Sequence, residues 1–118
     1  MKFLLIAFNL FLFISCSTSQ YSTQNKKAIK LFEQGKNAPA ATIDVVARTP
    51  NYREGLRLMN EALEKDPNFW EAHMYAGEFS EIMGDYESAI QHYKKGLAIS
   101  PQMNTTGSSY FYLANLQQ

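Results

Sequence analysis

The sequence predicts an all-α fold in which antiparallel helical hairpins stack as a short solenoid. Three observations carry this expectation. Apolar residues recur at three- and four-residue spacing through successive segments. Two helix-ending pairs, Asp66-Pro67 and Ser100-Pro101, lie thirty-four residues apart, and proline disfavours helix in the residue before it. Between them Gly84-Asp85 places a helix stop and a helix cap side by side. Composition agrees: 118 residues with 46% hydrophobic and 14% aromatic side chains supply one packed core. Eleven basic residues balance eleven acidic ones, which leaves no excess positive charge for gripping nucleic acid.

The N-terminus reads as an export signal. Lys2 supplies the positive end, and Phe3 to Ile14 is apolar except for Asn9. At about 1.5 Å per residue this run is too short to cross a hydrocarbon core of about 30 Å. It leads into Ser15-Cys16, after which Ser17 to Thr23 is expected to be a polar tether that packs against nothing. A small residue directly before a cysteine resembles a bacterial lipoprotein signal, with Phe13 standing where that signal usually has leucine. The resemblance implies a signal peptide over residues 1–15, cleavage before Cys16, acylation of its sulfur, and a lipidated tether over residues 16–23. Cys16 is the only cysteine, so an intramolecular disulfide is excluded.

Past the tether, Thr23 is expected to cap a helix over Asn25 to Lys36 that carries Ile29, Leu31 and Phe32, and Gly35 allows a second helix to approach closely. Residues 37–50, bracketed by Pro39 and Pro50, break the pattern and are expected to be an insertion with a short helix over 42–48. Asn51 opens the next helix, Tyr52 to Lys65, with Leu56, Met59, Ala62 and Leu63 on one face. Asn68 is expected to cap a helix over Phe69 to Met83. Gly84 then stops that helix, and Asp85 caps another over Tyr86 to Ile99 that buries Ala89, Ile90, Tyr93 and Leu97.

With these residues at a thirty-four-residue period, the chain resembles the tetratricopeptide repeat family. In residues 68–101 the family's small pair falls on Ala76-Gly77, its turn on Gly84-Asp85-Tyr86, its small residue in the second helix on Ala89, its aromatic on Tyr93 and its final proline on Pro101. His73, Ser80 and Gly96 depart from the pattern, where the family prefers Trp, Tyr and Ala; Gly96 costs roughly 1 kcal/mol of helix propensity. Residues 24–67 match through Gly55, Met59, Ala62-Leu63 and Pro67. Tyr110 to Ala114 look like the start of a third repeat over 104–118, and the chain is expected to continue beyond Gln118 in a longer protein.

The resemblance implies a non-enzymatic scaffold. The first helix of each pair lines a concave groove in this family, which would expose Glu71, Met74, Glu78, Glu81, Phe111 and Asn115 to a protein partner. Glu78 excludes a clamp for a terminal carboxylate, because like charges repel. No nucleophile sits beside a base. His73 and His92 are expected on different helices in opposite environments, the first as packing and the second on the surface. No spacing suits a metal and no cofactor is implied. The pairs Glu61/Glu64 and Glu78/Glu81 are expected to be solvated faces.

A lipoprotein signal followed by such repeats resembles the N-terminal region of envelope proteins of Bacteroidetes-type bacteria. There the repeats precede a β-propeller and a peptidoglycan-binding OmpA-like domain, and some members belong to type IX secretion or gliding machinery. The implied location is the outer membrane, facing the periplasm, with protein partners in the cell envelope and the membrane reached through Cys16. One alternative is a spacer for a peptidoglycan-binding domain; another is a pilotin-like carrier of a secretin. Cys16→Ala is expected to abolish metabolic fatty-acid labelling and to release the protein from the membrane fraction. Retention at the membrane by a parent chain that takes up no label would remove the anchor.

Overall fold

The computed structural model describes residues 20–101. It is mostly helical, with four helices packed pairwise and one small hairpin: α1 (Lys26–Ala41), β1 (Ile43–Asp44), β2 (Thr49–Pro50), α2 (Tyr52–Lys65), α3 (Trp70–Ile82) and α4 (Tyr86–Ile99). α1 packs on α2 and α3 on α4, and the α2·α3 contact joins the two pairs. Among the described residues no helix is long and apolar enough to cross a membrane.

The second helix of each pair is built alike. Asn51 and Asp85, thirty-four residues apart, cap α2 and α4, accepting hydrogen bonds from the backbone N–H of Glu54 and Ser88 at 3.0 and 3.1 Å. The same period relates the buried residues Gly55 and Ala89, Met59 and Tyr93, and Ala62 and Gly96. Both helices end before a proline on an extended residue, Asp66 at φ −146° and Ser100 at φ −133°. The turn between α3 and α4 has Gly84 at φ 82°, and the Asp85 N–H reaches back 2.9 Å to the Ser80 carbonyl, which satisfies the helix end.

Close approach of helices sets the packing. A methyl group on Gly55 would meet the Phe79 ring at 2.7 Å and the Gly35 carbonyl at 3.0 Å, so α1, α2 and α3 converge where no side chain fits. Gly77 lies against the Tyr93 ring in the same way, with 2.7 Å to an added Cβ. Around these points Ala28, Phe32, Met59, Ala62, Phe69, Ala72, Ala76 and Phe79 form one core, and Ala89 and Tyr93 a second cluster covered by Trp70, Met74, Ile90 and Leu97. Ser80, fully buried, is satisfied by donating to the Ala76 carbonyl at 2.8 Å.

Four local expectations are corrected. α1 runs through Pro39 to Ala41 rather than stopping at Lys36. The proline sits in the last turn, where only one helical hydrogen bond is lost, and the Gly35 carbonyl it leaves faces Gly55. Residues 42–48 form no helix. Asp44 accepts from the N–H groups of Val46 and Ala47 at 3.0 and 3.1 Å, which favours a turn, and Ile43 and Asp44 pair antiparallel with Pro50 and Thr49. Gly35 and Gly77, which occupy like positions against Met59 and Tyr93, lie forty-two residues apart, and the hairpin Ile43–Pro50 supplies the eight residues by which this exceeds thirty-four. The insertion is therefore shorter than residues 37–50.

The third correction concerns caps. Asn25, not Thr23, caps α1, accepting from Lys27 and Ala28 N–H. Phe69 occupies the cap position of α3 with no side-chain bond, while the Asn68 N–H donates to Asp66. The fourth concerns the tether, which packs from Tyr21 onward. The Tyr21 ring lies 5.1 Å from Phe32 and 5.9 Å from Phe69, centroid to centroid, and Thr23 is buried and donates to Asp66. A tyrosine among serines and threonines is enough apolar area to dock the segment once a matching aromatic surface exists.

Gly77→Leu is expected to destabilise the fold by roughly 1–3 kcal/mol, because Tyr93 is only 1% exposed and has no room to swing aside. A thermal melt identical to that of the parent would mean that α3 and α4 do not meet at this point.

Candidate interaction surfaces

The residues expected to line a groove fall into three situations. Glu71, in the first turn of α3, accepts from the Ser22 backbone N–H at 2.8 Å and from its hydroxyl, and so holds the N-terminal segment. Met74 is half-buried against the Ala89–Tyr93 cluster, which makes it a packing residue with one free edge. Glu78 and Glu81 lie one turn apart on α3, both half-buried. Burial first, and Glu81 second, push the Glu78 carboxyl above its usual range, while Glu81 accepts from the Tyr93 hydroxyl at 3.0 Å. Phe111, Asn115 and Cys16 lie outside the described residues.

Of the other carboxylates, Glu61 pairs with Arg57, which also takes Glu54 at 2.6 Å. These are exposed contacts within one helix, the kind worth a few tenths of a kcal/mol. Glu61 and Glu64 thus remain a helix surface.

His73 and His92 do not stand apart. Their Nδ1 atoms are 3.3 Å from each other, with ring centroids 5.6 Å apart, because each lies on the face its helix turns toward the other. His73 is buried, as expected, but His92 is half-buried rather than on the surface. His73 Nε2 sits 3.1 Å from the Pro67 carbonyl, which accepts only, so Nε2 carries the proton and Nδ1 offers a lone pair. His92 Nδ1 therefore donates to His73. Both rings are held neutral in this arrangement. Burial, the other ring and Lys95 push His92 down to about 4; burial lowers His73 as well, opposed by the Pro67 carbonyl and assisted by Lys95.

The pair opens on a groove of about 580 Å³ between α2 and α4, walled by Leu63, Pro67, Ala98 and Ile99, with Glu64 and Lys95 at its edges. Among the described residues no group of three or more potential metal ligands exists. Nothing in the sequence places the two rings together except their register. His73 and His92 each lie four residues before a small or apolar helix-contact residue, Gly77 and Gly96. Each therefore shares a face with a contact that the pattern does reveal.

Compared with known proteins, the chain matches no family model and no curated protein.

The histidine pair gives the fold an acid sensitivity with a definite sign. Both rings titrate lower in the folded chain than their ordinary 6.5, so the unfolded chain binds more protons between about 6.5 and about 4. Their contribution is full above pH 6.5 and is lost as pH falls toward 4. Asp85 lies near His92 and favours its proton, which narrows the effect, and Glu78 works in the opposite direction. The parent is accordingly expected to lose more Tm between pH 7 and pH 5 than His92→Gln loses. Parallel curves for the two proteins would show that the pair does not titrate in that window.

Proposed function

We propose that the chain is a non-enzymatic scaffold of tetratricopeptide type, held at the bacterial outer membrane by a lipid on Cys16 and recruiting protein partners of the cell envelope. The observation that supports it best is the thirty-four-residue equivalence of α2 and α4, with the same cap, the same buried positions and the same extended stop before proline. Helical pairs that repeat in register bury each other's sides and leave their first helices along one continuous surface, and that surface is what such arrays use to hold a partner.

On this reading the binding face is narrower than six residues. Glu71 is committed to Ser22 and Met74 is largely packed, which leaves Glu78 and its neighbour Glu81 as the polar part of the α3 face. Their charge favours a basic or neutral segment.

The alternatives, a spacer for a peptidoglycan-binding domain or a carrier for a secretin, use the same anchor and differ in whether this face touches anything. A photo-crosslinking side chain at Glu78 is expected to capture an envelope protein in cells, whereas the same group at Gln91, exposed on α4, captures none. Equal capture from both positions, or none from Glu78, would leave the repeats as a spacer.

A further inference from the structure

The hairpin between α1 and α2 ends in two adjacent side chains that the fold does not use. Val45 is 86% exposed and Val46 92%, with Ile43 at 70% beside them. Both valines belong to the turn 45–48 that joins the two strands, and the turn leaves both in water. A rigid protein pocket covers one side of such a projection, whereas a fluid apolar phase covers both. Asp44 accepts from the Val46 and Ala47 N–H groups through its side chain and from the Arg48 N–H, at 2.7 Å, through its carbonyl. Its own charge is met by Arg53, whose Nε lies 3.4 Å away.

Cations flank this tip. Arg53 is exposed on the first turn of α2, and Arg48 is held at φ 55°, in the left-handed region that side chains avoid, with no carboxylate partner among the described residues. Exposed valines beside Arg48, with Arg53 shared between Asp44 and solvent, match a bilayer surface, with acyl chains beneath anionic headgroups.

We infer that the Ile43–Pro50 hairpin is a membrane-inserting wedge that places Val45 and Val46 among acyl chains and sets Arg48 and Arg53 against anionic lipid headgroups. The hairpin lies at the far end of α1 from Tyr21, about 24 Å along a sixteen-residue helix. It is thus separate from any anchor at Cys16 and stands whether or not that cysteine is acylated.

The test reads position 46 itself, since co-sedimentation of the whole chain does not say which part of it meets the lipid. The full chain carrying Cys16→Ser and Val46→Cys, labelled with an environment-sensitive fluorophore, is titrated with vesicles of phosphatidylglycerol and phosphatidylethanolamine. The expected result is a blue shift with quenching by lipid-phase quenchers, absent when the label sits at Gln34→Cys on exposed α1 surface. Adding Val45→Asp abolishes the shift, and adding Arg48→Glu raises the lipid concentration at half-saturation at least tenfold. A label at 46 that stays in water while the chain co-sediments overturns the proposal. So does an equal shift on phosphatidylcholine vesicles, which removes the anionic surface. A shift that grows with protein concentration and no lipid makes a second copy of this chain the occupant and overturns it as well.

Discussion

The structure depends on the contact at Gly55, where three helices meet at a distance that excludes any side chain. The Phe79 ring of α3 and the Gly35 carbonyl of α1 press on the same point of α2 from two directions. This fixes the separation of α1 from α2 and of α2 from α3 together. Once those distances are set, the aromatic residues find one another: Phe32 lies 4.8 Å from Phe69 and 5.4 Å from Tyr75, Tyr75 lies 5.9 Å from Phe79, and Tyr52 lies 5.5 Å from Phe79. The rings form a continuous path along the α1–α3 interface. Such pairs add about 0.5–1.5 kcal/mol each beyond the area they bury, so an altered helix separation weakens several of them at once.

The two ends of the bundle are finished differently, and each finish bears on how the chain meets its surroundings. At one end the N-terminal segment is tied down: Tyr21 in the aromatic path, Ser22 on Glu71, Thr23 on Asp66, and Asn25 on the Lys65 carbonyl. Asp66 serves twice, ending α2 and receiving both Thr23 and the Asn68 N–H. A lipid on Cys16, as proposed, would stand five residues before this attachment at Tyr21. At the other end the hairpin projects apolar side chains outward. The helices between them are the rigid element that keeps these two features apart.

The proposed partner face and the histidine groove lie on different helices. Glu78 and Glu81 belong to α3, whereas the groove at His92 runs between α2 and α4. The neutral state of the histidine pair follows from its surroundings: Lys95 and the burial of both rings oppose a proton, and the Pro67 carbonyl fixes which nitrogen of His73 keeps one. The pair therefore locks α3 to α4 through a hydrogen bond whose direction is set from outside the pair. With both rings protonated two donors would face each other, and the bond would be lost from the same interface that Gly77 and Tyr93 close.

The sequence by itself determined the four long helices, the boundaries of α2 and α4 and the stop at Gly84. All of these follow from local signals: cap residues, prolines, one glycine in a left-handed turn, and apolar spacing. It also exposed the thirty-four-residue register, which is a relation between two local signals. Tertiary structure alone decided the rest. Helix α1 outran Pro39 because packing against α2 outweighs one lost hydrogen bond near a helix end. Residues 43–50 became a hairpin because Asp44 could satisfy the turn's backbone donors while Arg53 met its charge. Tyr21 to Thr23 ceased to be a tether because Phe32 and Phe69, thirty-seven residues apart, present one surface to them. His73 and His92 became a pair because two helices crossed with those faces inward. Each of these outcomes turns on a partner distant in sequence, and the free energy of burial and hydrogen bonding with that partner outweighs what the local sequence prefers.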